Sequence, residues 1–234
     1  MKNIKRTKTE RIKRVFDDAF DKYDIMNDLM SLGVHRLWKD RLIDWMNPKK
    51  GDHLLDVASG TGDVARSFLQ RIQFEGEVTC VEPNEQMLNK GKIKLKKFDK
   101  IKWNSSVAEK LPFKSETFDV YSVSFGIRNF SDINAALKEA RRVLKTGGRI
   151  LCLEFSKVEN ETLEKIYKLY SKSIPYIGKY IAGKSEPYEY LIKSIEEFYG
   201  QEELLEIFQN NGFEKVEYRN LSGGIAAIHS GWKI

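Results

Sequence analysis

The run Leu54-Leu55-Asp56-Val57-Ala58-Ser59-Gly60-Thr61-Gly62-Asp63 limits what this chain can fold into more than any other stretch. Leu54, Leu55 and Val57 make a short apolar segment that carries an acid, Asp56, near its end and is broken at once by glycines. An apolar segment of that length closed by glycines reads as a buried parallel strand entering a tight turn. Val64, Ala65, Phe68 and Leu69 follow at helical spacing, so the turn opens a helix. Glycines such as Gly60 and Gly62 accept positive φ and let a ligand approach the backbone without meeting a Cβ. Strand, glycine turn and helix together make a nucleotide-type site.

Two ligand classes share that design. Gly60, Gly62 and Ala65 fit the dinucleotide spacing G-x-G-x-x-G/A, with Glu82 about twenty residues further on. The acids argue the other way. Asp63 falls where the helix N-terminus would hold a pyrophosphate, and Asp56 lies just upstream, so both would repel a diphosphate. S-adenosylmethionine carries an ammonium and a sulfonium and no phosphate, and acids beside the turn suit those cations. Glu82 can then accept from the ribose hydroxyls, as an acid does in NAD sites. The plainer alternative is that Asp63 is a helix N-cap and Asp56 a strand-end acid.

At 234 residues the chain can bury a full core and is expected to form one domain over residues 1–234. Cys80 and Cys152 each sit in an apolar run, with no metal-type spacing, so both read as core packing in a reducing compartment and no metal is expected. No apolar run approaches the length of a membrane span, and no signal-peptide core is evident. The net charge of +6 is compatible with a nucleic acid or an anionic membrane surface, and equally with solubility alone.

In chain order, residues 1–50 read as an N-terminal helical cap. Its first fourteen residues are strongly basic: either a solvated tail or a patch for acidic lipid headgroups. Tyr23 and Asn27 are polar members of the following helical stretch within reach of a ligand, and His35, Trp38, Leu42, Trp45 and Met46 continue a helix until Pro48. Residues 51–155 read as the donor-binding core, with strands at Leu54–Val57, Val78–Glu82, Ile101–Trp103, Phe118–Phe125 and Arg149–Phe155 alternating with helices. Lys92 to Lys100 reads as a solvated face rather than a nucleic-acid stripe. The helix from Ile133 is expected to stop at Gly147-Gly148. Residues 156–200 read as an aromatic-rich helical stretch interrupted at Pro175 and Gly178, either a helical lid or additional core helices, and residues 201–234 as a helix and a hairpin around Ser222-Gly223-Gly224. The expected fold is therefore α/β: a doubly wound, mostly parallel, seven-stranded sheet of the Rossmann-like class I methyltransferase kind, ending in an antiparallel hairpin.

Several blocks resemble the quinone-biosynthesis C-methyltransferases of the UbiE/MenG type over nearly the whole chain. They are Lys22 to Ser31 with His35-Arg36-Leu37-Trp38, Asp56 to Asp63, Ser124-Phe125-Gly126-Ile127-Arg128-Asn129, Arg142 to Arg149, and Leu153-Glu154-Phe155-Ser156-Lys157. The Tyr23–Ser31 and Phe125–Asn129 blocks are the specific ones; the glycine motif is common to most enzymes using this donor. The resemblance implies donor contacts at Thr61, Glu82, the Val107-Ala108 pair and Ser124. Where the family usually has Asp or Asn this chain has Val107, so the Ala108 backbone N–H would have to serve the adenine. Thr146 replaces a usual proline.

The implied reaction moves a methyl from S-adenosylmethionine to a ring carbon of a polyprenylated benzoquinol or demethylmenaquinol. Such a transfer needs alignment, exclusion of water and a group that stabilises or deprotonates the ring phenol. Arg128 is the first candidate for meeting a phenolate, with a salt bridge to the following helix as its structural alternative, and Asn129 is the candidate for orienting a hydroxyl or water. His35 reads mainly as packing. The expected partners are the quinol and a membrane surface, with no nucleic acid. A homo-oligomer or a larger quinone-biosynthesis assembly is left open, and the expected location is the cytoplasm, at the inner face of the membrane. Two other classes stand beside this reading: an RNA-modifying methyltransferase, suggested by the charge, and a non-catalytic donor-binding scaffold.

Overall fold

The computed structural model describes residues 28–182 and 185–234. The strands are β1 (His53–Val57), β2 (Glu77–Val81), β3 (Ile101–Asn104), β4 (Phe118–Ser124), β5 (Leu144–Phe155), β6 (Glu214–Leu221) and β7 (Ala226–Trp232). The helices are α1 (His35–Met46), α2 (Asp63–Arg71), α3 (Glu85–Lys94), α4 (Ile133–Val143), α5 (Glu161–Ala182), α6 (Glu186–Glu196) and α7 (Gln201–Asn210). The strands form one sheet in the order β3-β2-β1-β4-β5-β7-β6. The first five pair in parallel, while β7 runs antiparallel to both β5 and β6. The expected mostly parallel seven-stranded sheet with a terminal antiparallel hairpin is what the chain forms.

The central strands are apolar on both faces because both are covered. Leu54 packs into a core with Trp38 and Leu42 of α1, Phe68 and Leu69 of α2 and Tyr188 of α6. Its neighbour Leu55 faces the opposite core, with Leu137 and Ala140 of α4 and Leu204 and Phe208 of α7. Phe68 and Leu69 are wholly buried, each stabilising the fold by about 1.5–3 kcal/mol relative to exposure. The chain winds outward from β1 through β2 to β3, then returns to β4 on the other side of β1. That reversal leaves a crevice at the carboxyl ends of β1 and β4, where ligands bind in open α/β sheets.

Two boundaries differ from the sequence-based expectation, each for a visible reason. The helix α4 ends at Val143 rather than at the glycines, because Leu144 is already extended and pairs with Phe118. The carbonyls of Arg142 and Val143 are taken by the backbone N–H groups of Glu116 and Thr117, and the Gly147 N–H donates to Lys233. Those glycines therefore lie inside β5, at the register shift between its Phe118–Leu144 and Val120–Arg149 pairs. The helix α5 runs unbroken through Pro175 and Gly178. Gly178 is a docking point: a Cβ there would lie 2.3 Å from the Tyr188 ring, so only glycine lets α6 approach. Ile174 is wholly buried on the same side, and this packing offsets the lost proline hydrogen bond.

Candidate functional site

The crevice is a cavity of about 550 Å³, within the range of small-molecule sites. Its floor is the glycine turn. Gly62 is the N-cap of α2 with φ +82°, and its side faces Leu95 and Trp103, where a Cβ would come within 2.7 Å and 3.0 Å. Gly60 and Thr61 line the cavity, whereas Gly62 does not, so Gly62 shapes the turn from behind.

Glu82, immediately after β2, is buried and lines the cavity. Its two oxygens accept the backbone N–H groups of Gly60 and Asn84, each at 2.9 Å. Burial raises its pKa, and those two donors pull against it. Each oxygen keeps a lone pair for a ligand hydroxyl. Asp56, on β1, is also buried; one oxygen accepts from the Ser122 hydroxyl at 2.7 Å and the other has no partner. Desolvation pushes its pKa up to about 7, partly opposed by the Ser122 bond. The hydroxyls of Ser106 and Ser124 line the same cavity, buried and without a protein partner. Buried polar atoms left open around one cavity are what a polar ligand would satisfy.

Asp63 corrects the electrostatic expectation. Its carboxylate pairs with Lys39 at 3.0 Å and Lys94 at 2.7 Å, and Lys94 also donates to the Thr61 hydroxyl at 3.1 Å. Burial works to raise its pKa, but the two lysines outweigh it and hold the carboxylate well below the usual range. One anion between two cations brings no net negative charge to the cavity, so Asp63 would not repel a diphosphate. The anionic contribution passes to Glu82 and, above about pH 7, to Asp56.

Val107 and Ala108 line one wall; Val107 is largely exposed and Ala108 buried. The adjoining wall is the segment from Ser124 through Ser131, including Asn129, and it is tied to the Val107-Ala108 loop by the Ser131 N–H, which donates to Glu109 at 2.6 Å. Phe125 holds φ +56°, unusual for a bulky residue, and its ring lies tilted at 43° against Phe155 with centroids 5.0 Å apart. Gly126 sits where a Cβ would be 2.5 Å from the Ala58 Cβ, so this wall presses directly on the loop after β1.

Arg128 does not line the cavity. It is buried, and its Nη1 pairs with Glu154 of β5 at 2.6 Å and donates to the Phe125 carbonyl at 2.8 Å. The structural alternative for Arg128, a salt bridge, is therefore the one formed, with a strand acid and not the following helix as its partner. Burial raises the pKa of Glu154, opposed first by the Arg128 charge. The pair faces the back of the 3-10 turn Ile127–Asn129 and leaves Asn129 as its cavity-facing polar side chain. Asn129 Oδ1 accepts the Tyr190 hydroxyl at 2.9 Å, which ties the wall to α6.

His35 is buried, with Nε2 2.9 Å from Asp28, and lies away from the cavity, as packing requires. Tyr23 lies outside the described residues. Sequence reasoning missed Lys39, Ser106, Glu154 and Tyr190. For Glu154 a signal existed: a lone acid inside a strand buried on both faces needs a cationic partner. Among the described residues no cluster of potential metal ligands occurs.

A family model described as the ubiE/COQ5 methyltransferase family matches residues 4–233. The ubiquinone/menaquinone biosynthesis C-methyltransferase UbiE of Ruegeria sp. (strain TM1040) is 48% identical over 231 residues, covering 97% of this chain and 92% of that protein. The protein of the same name from Rickettsia akari (strain Hartford) is 50% identical over 230 residues, covering 95% and 92%. Among solved structures, a SAM-dependent methyltransferase from Aquifex aeolicus superposes with a TM-score of 0.66 at 19% identity, covering 89% of this chain and 97% of that one. A possible histamine N-methyltransferase from Thermotoga maritima gives 0.67 at 20% identity, covering 94% and 99%. At those identities the solved structures speak for the fold alone. The match over nearly the full length, with relatives at about half identity, has one consequence: this chain belongs to the ubiE/COQ5 methyltransferase family.

Proposed function

We propose that this chain holds S-adenosylmethionine in the crevice beside β1 and methylates a ring carbon of a polyprenylated benzoquinol or demethylmenaquinol seated against the Phe125–Ser131 wall. Membership of the family makes it an S-adenosylmethionine-dependent C-methyltransferase of ubiquinone/menaquinone biosynthesis, and leaves the RNA-modifying and scaffold readings without support. The observation that carries the site assignment is Glu82, a buried carboxylate locked by two backbone N–H groups with lone pairs still open to the cavity.

When bound, the donor supplies a methyl on positively charged sulfur, already activated toward a carbon nucleophile. The residues here bind and align. Glu82 would accept the ribose hydroxyls and Asp56 the ammonium, through the oxygen that has no protein partner. Thr61, Ser106, Ser124 and the backbone at Ala108 would complete the polar contacts, with Gly60 keeping the floor open. On the acceptor side, Asn129 would orient the ring hydroxyl, or the water that takes its proton, so that the ring carbon becomes nucleophilic. Arg128, neutralised by Glu154 behind the wall, would fix the turn that presents Asn129 rather than touch the ring. The whole chain would act as one catalytic unit at the inner face of a membrane, with α5 and α6 as a lid over the prenyl tail.

Incubating the purified protein with methyl-labelled donor and either a short-tail benzoquinol or a short-tail demethylmenaquinol should label at least one ring carbon. Labelling of neither, in a protein that binds the donor by calorimetry, would refute the acceptor assignment.

A further inference from the structure

We propose that the outward face of α5 docks this protein onto an anionic lipid surface, with the helix lying in the interface and not crossing it. Ile166, Leu169, Tyr176 and Tyr180 stand three, seven and four residues apart, so they fall along one stripe of the helix. They are 61%, 75%, 79% and 91% exposed, among the largest apolar exposures of the described residues. Ser173 is the one polar residue on this line between Leu169 and Tyr176, and large exposed apolar side chains gathered on one face mark an interaction site. Its chemistry selects the partner. Lys165, Lys172 and Lys179 repeat every seven residues along one edge of the stripe, all exposed. The acids of this helix, Glu161 and Glu164, sit in its first turn, and Glu164 pairs with Lys168 at 2.6 Å. An apolar stripe ending in two tyrosines and edged by a line of lysines matches a headgroup layer, where tyrosine rings settle at the boundary and lysines meet phosphates. No helix among the described residues is long and apolar enough to span a bilayer.

The buried side of the same helix leads to the cavity. Gly178 seats Tyr188 of α6, and two residues on Tyr190 reaches Asn129 in the cavity wall. A surface held by α5 would thus lie next to the acceptor side of the site, which is where a lipid-dissolved substrate must enter. This last point rests on the polyprenylated acceptor proposed above; the stripe and its lysines do not.

The test is co-sedimentation of the full chain with vesicles of phosphatidylcholine alone, or of equal parts phosphatidylcholine and phosphatidylglycerol, in low and high salt. Wild type should bind the anionic vesicles and be released by salt. Replacing all three lysines (Lys165→Gln, Lys172→Gln, Lys179→Gln) should weaken partition about a hundredfold, and Leu169→Ser with Tyr180→Ser should weaken it on both vesicle types. All these positions are exposed, and turnover of a short-tail, water-soluble quinol should be unchanged in every variant. Absence of binding by wild type, or binding that neither set of changes weakens, would overturn the proposal. So would light scattering that shows a dimer dissolved by the stripe changes in a protein that ignores vesicles, since a second copy would then be the occupant. Vesicle binding is read without acceptor, so failure of the quinol assignment would appear as lost turnover alone.

Discussion

The two walls of the cavity are built on opposite plans. The proposed donor wall is local: strand β1, its glycine turn and Glu82 at the end of the adjacent strand hold the open lone pairs, and their geometry comes from backbone hydrogen bonds. The proposed acceptor wall is assembled from afar. Trp38 of α1 and Phe155 of β5 meet edge-on at 5.9 Å, Phe155 lies tilted against Phe125, Glu154 holds Arg128, and Tyr190 of α6 holds Asn129. On the proposed assignment, a cofactor shared by many enzymes would be met by a rigid local frame, and the acceptor by a wall whose shape depends on several distant elements. Perturbing the first should change donor affinity alone; perturbing the second should change stability or acceptor handling and leave the donor alone.

The largest effect should come from Glu154. Glu154→Ala strands the Arg128 charge in the core and is expected to cost about 3–5 kcal/mol in urea unfolding. The double change Arg128→Met with Glu154→Leu should recover most of that stability, because removing both charges also removes their desolvation penalty. If the pair positions the wall, turnover in the double variant should stay down by about a hundredfold with donor affinity intact. Turnover that returned together with stability would show that the pair serves folding alone and would erase the contrast between the walls.

Glu82→Ala should act on the other wall. Loss of hydrogen bonds to a charged acceptor should weaken donor binding by roughly ten- to a hundredfold, with turnover at saturating donor near wild type. Calorimetry reads the first and initial rates read the second; equal loss of both would remove the separation.

The same contrast explains what the amino-acid sequence could disclose. Period and punctuation along residues 54–63 reveal strand, turn and helix because each signal lies within a few residues of the next. The sheet and its closing hairpin follow from strand and helix alternation. Asp63 was visible as an acid, but not its neutralisation by Lys39 and Lys94, since those lysines lie 24 and 31 residues away on other helices. Pro175 and Gly178 looked like breaks because local propensity disfavours both; α5 continues through them because Tyr188 packs on the glycine. In the sequence Arg128 is open to a phenolate contact or a salt bridge with the following helix, and only the sheet pairing of β4 with β5 shows that Glu154 stands next to it.

Asp56 supplies a pH test of the donor wall. Its folded pKa, about 7, lies above the ordinary carboxylate value because burial disfavours the charge. A proton on it removes the partner of the donor ammonium, so donor affinity should rise about fivefold between about pH 6 and pH 7, below the α-amino range of the donor itself. Stability without donor runs the other way. A raised carboxyl pKa favours the fold while the group is protonated, and that contribution is lost as pH climbs from about 4 toward 7. Asp56→Asn should flatten both curves; a wild-type affinity that is flat across this window would mean that the ammonium is held elsewhere.

Tyr190→Phe is the finest probe of the acceptor wall. The change removes one hydroxyl, leaves the ring in place on α6, and deprives Asn129 Oδ1 of a donor at 2.9 Å. A single hydrogen bond of this kind is worth about 0.5–1.5 kcal/mol, so the expected result is a roughly threefold rise in acceptor KM. Donor affinity should not move, because none of the donor-wall residues touches α6 through this bond. A matching change at Asn129→Ala, with no further loss in the double variant, would show that Tyr190 acts through Asn129 and that the lid helix sets the angle at which the wall meets the ring. Additive losses would separate the two residues and make Tyr190 a contact of the acceptor in its own right.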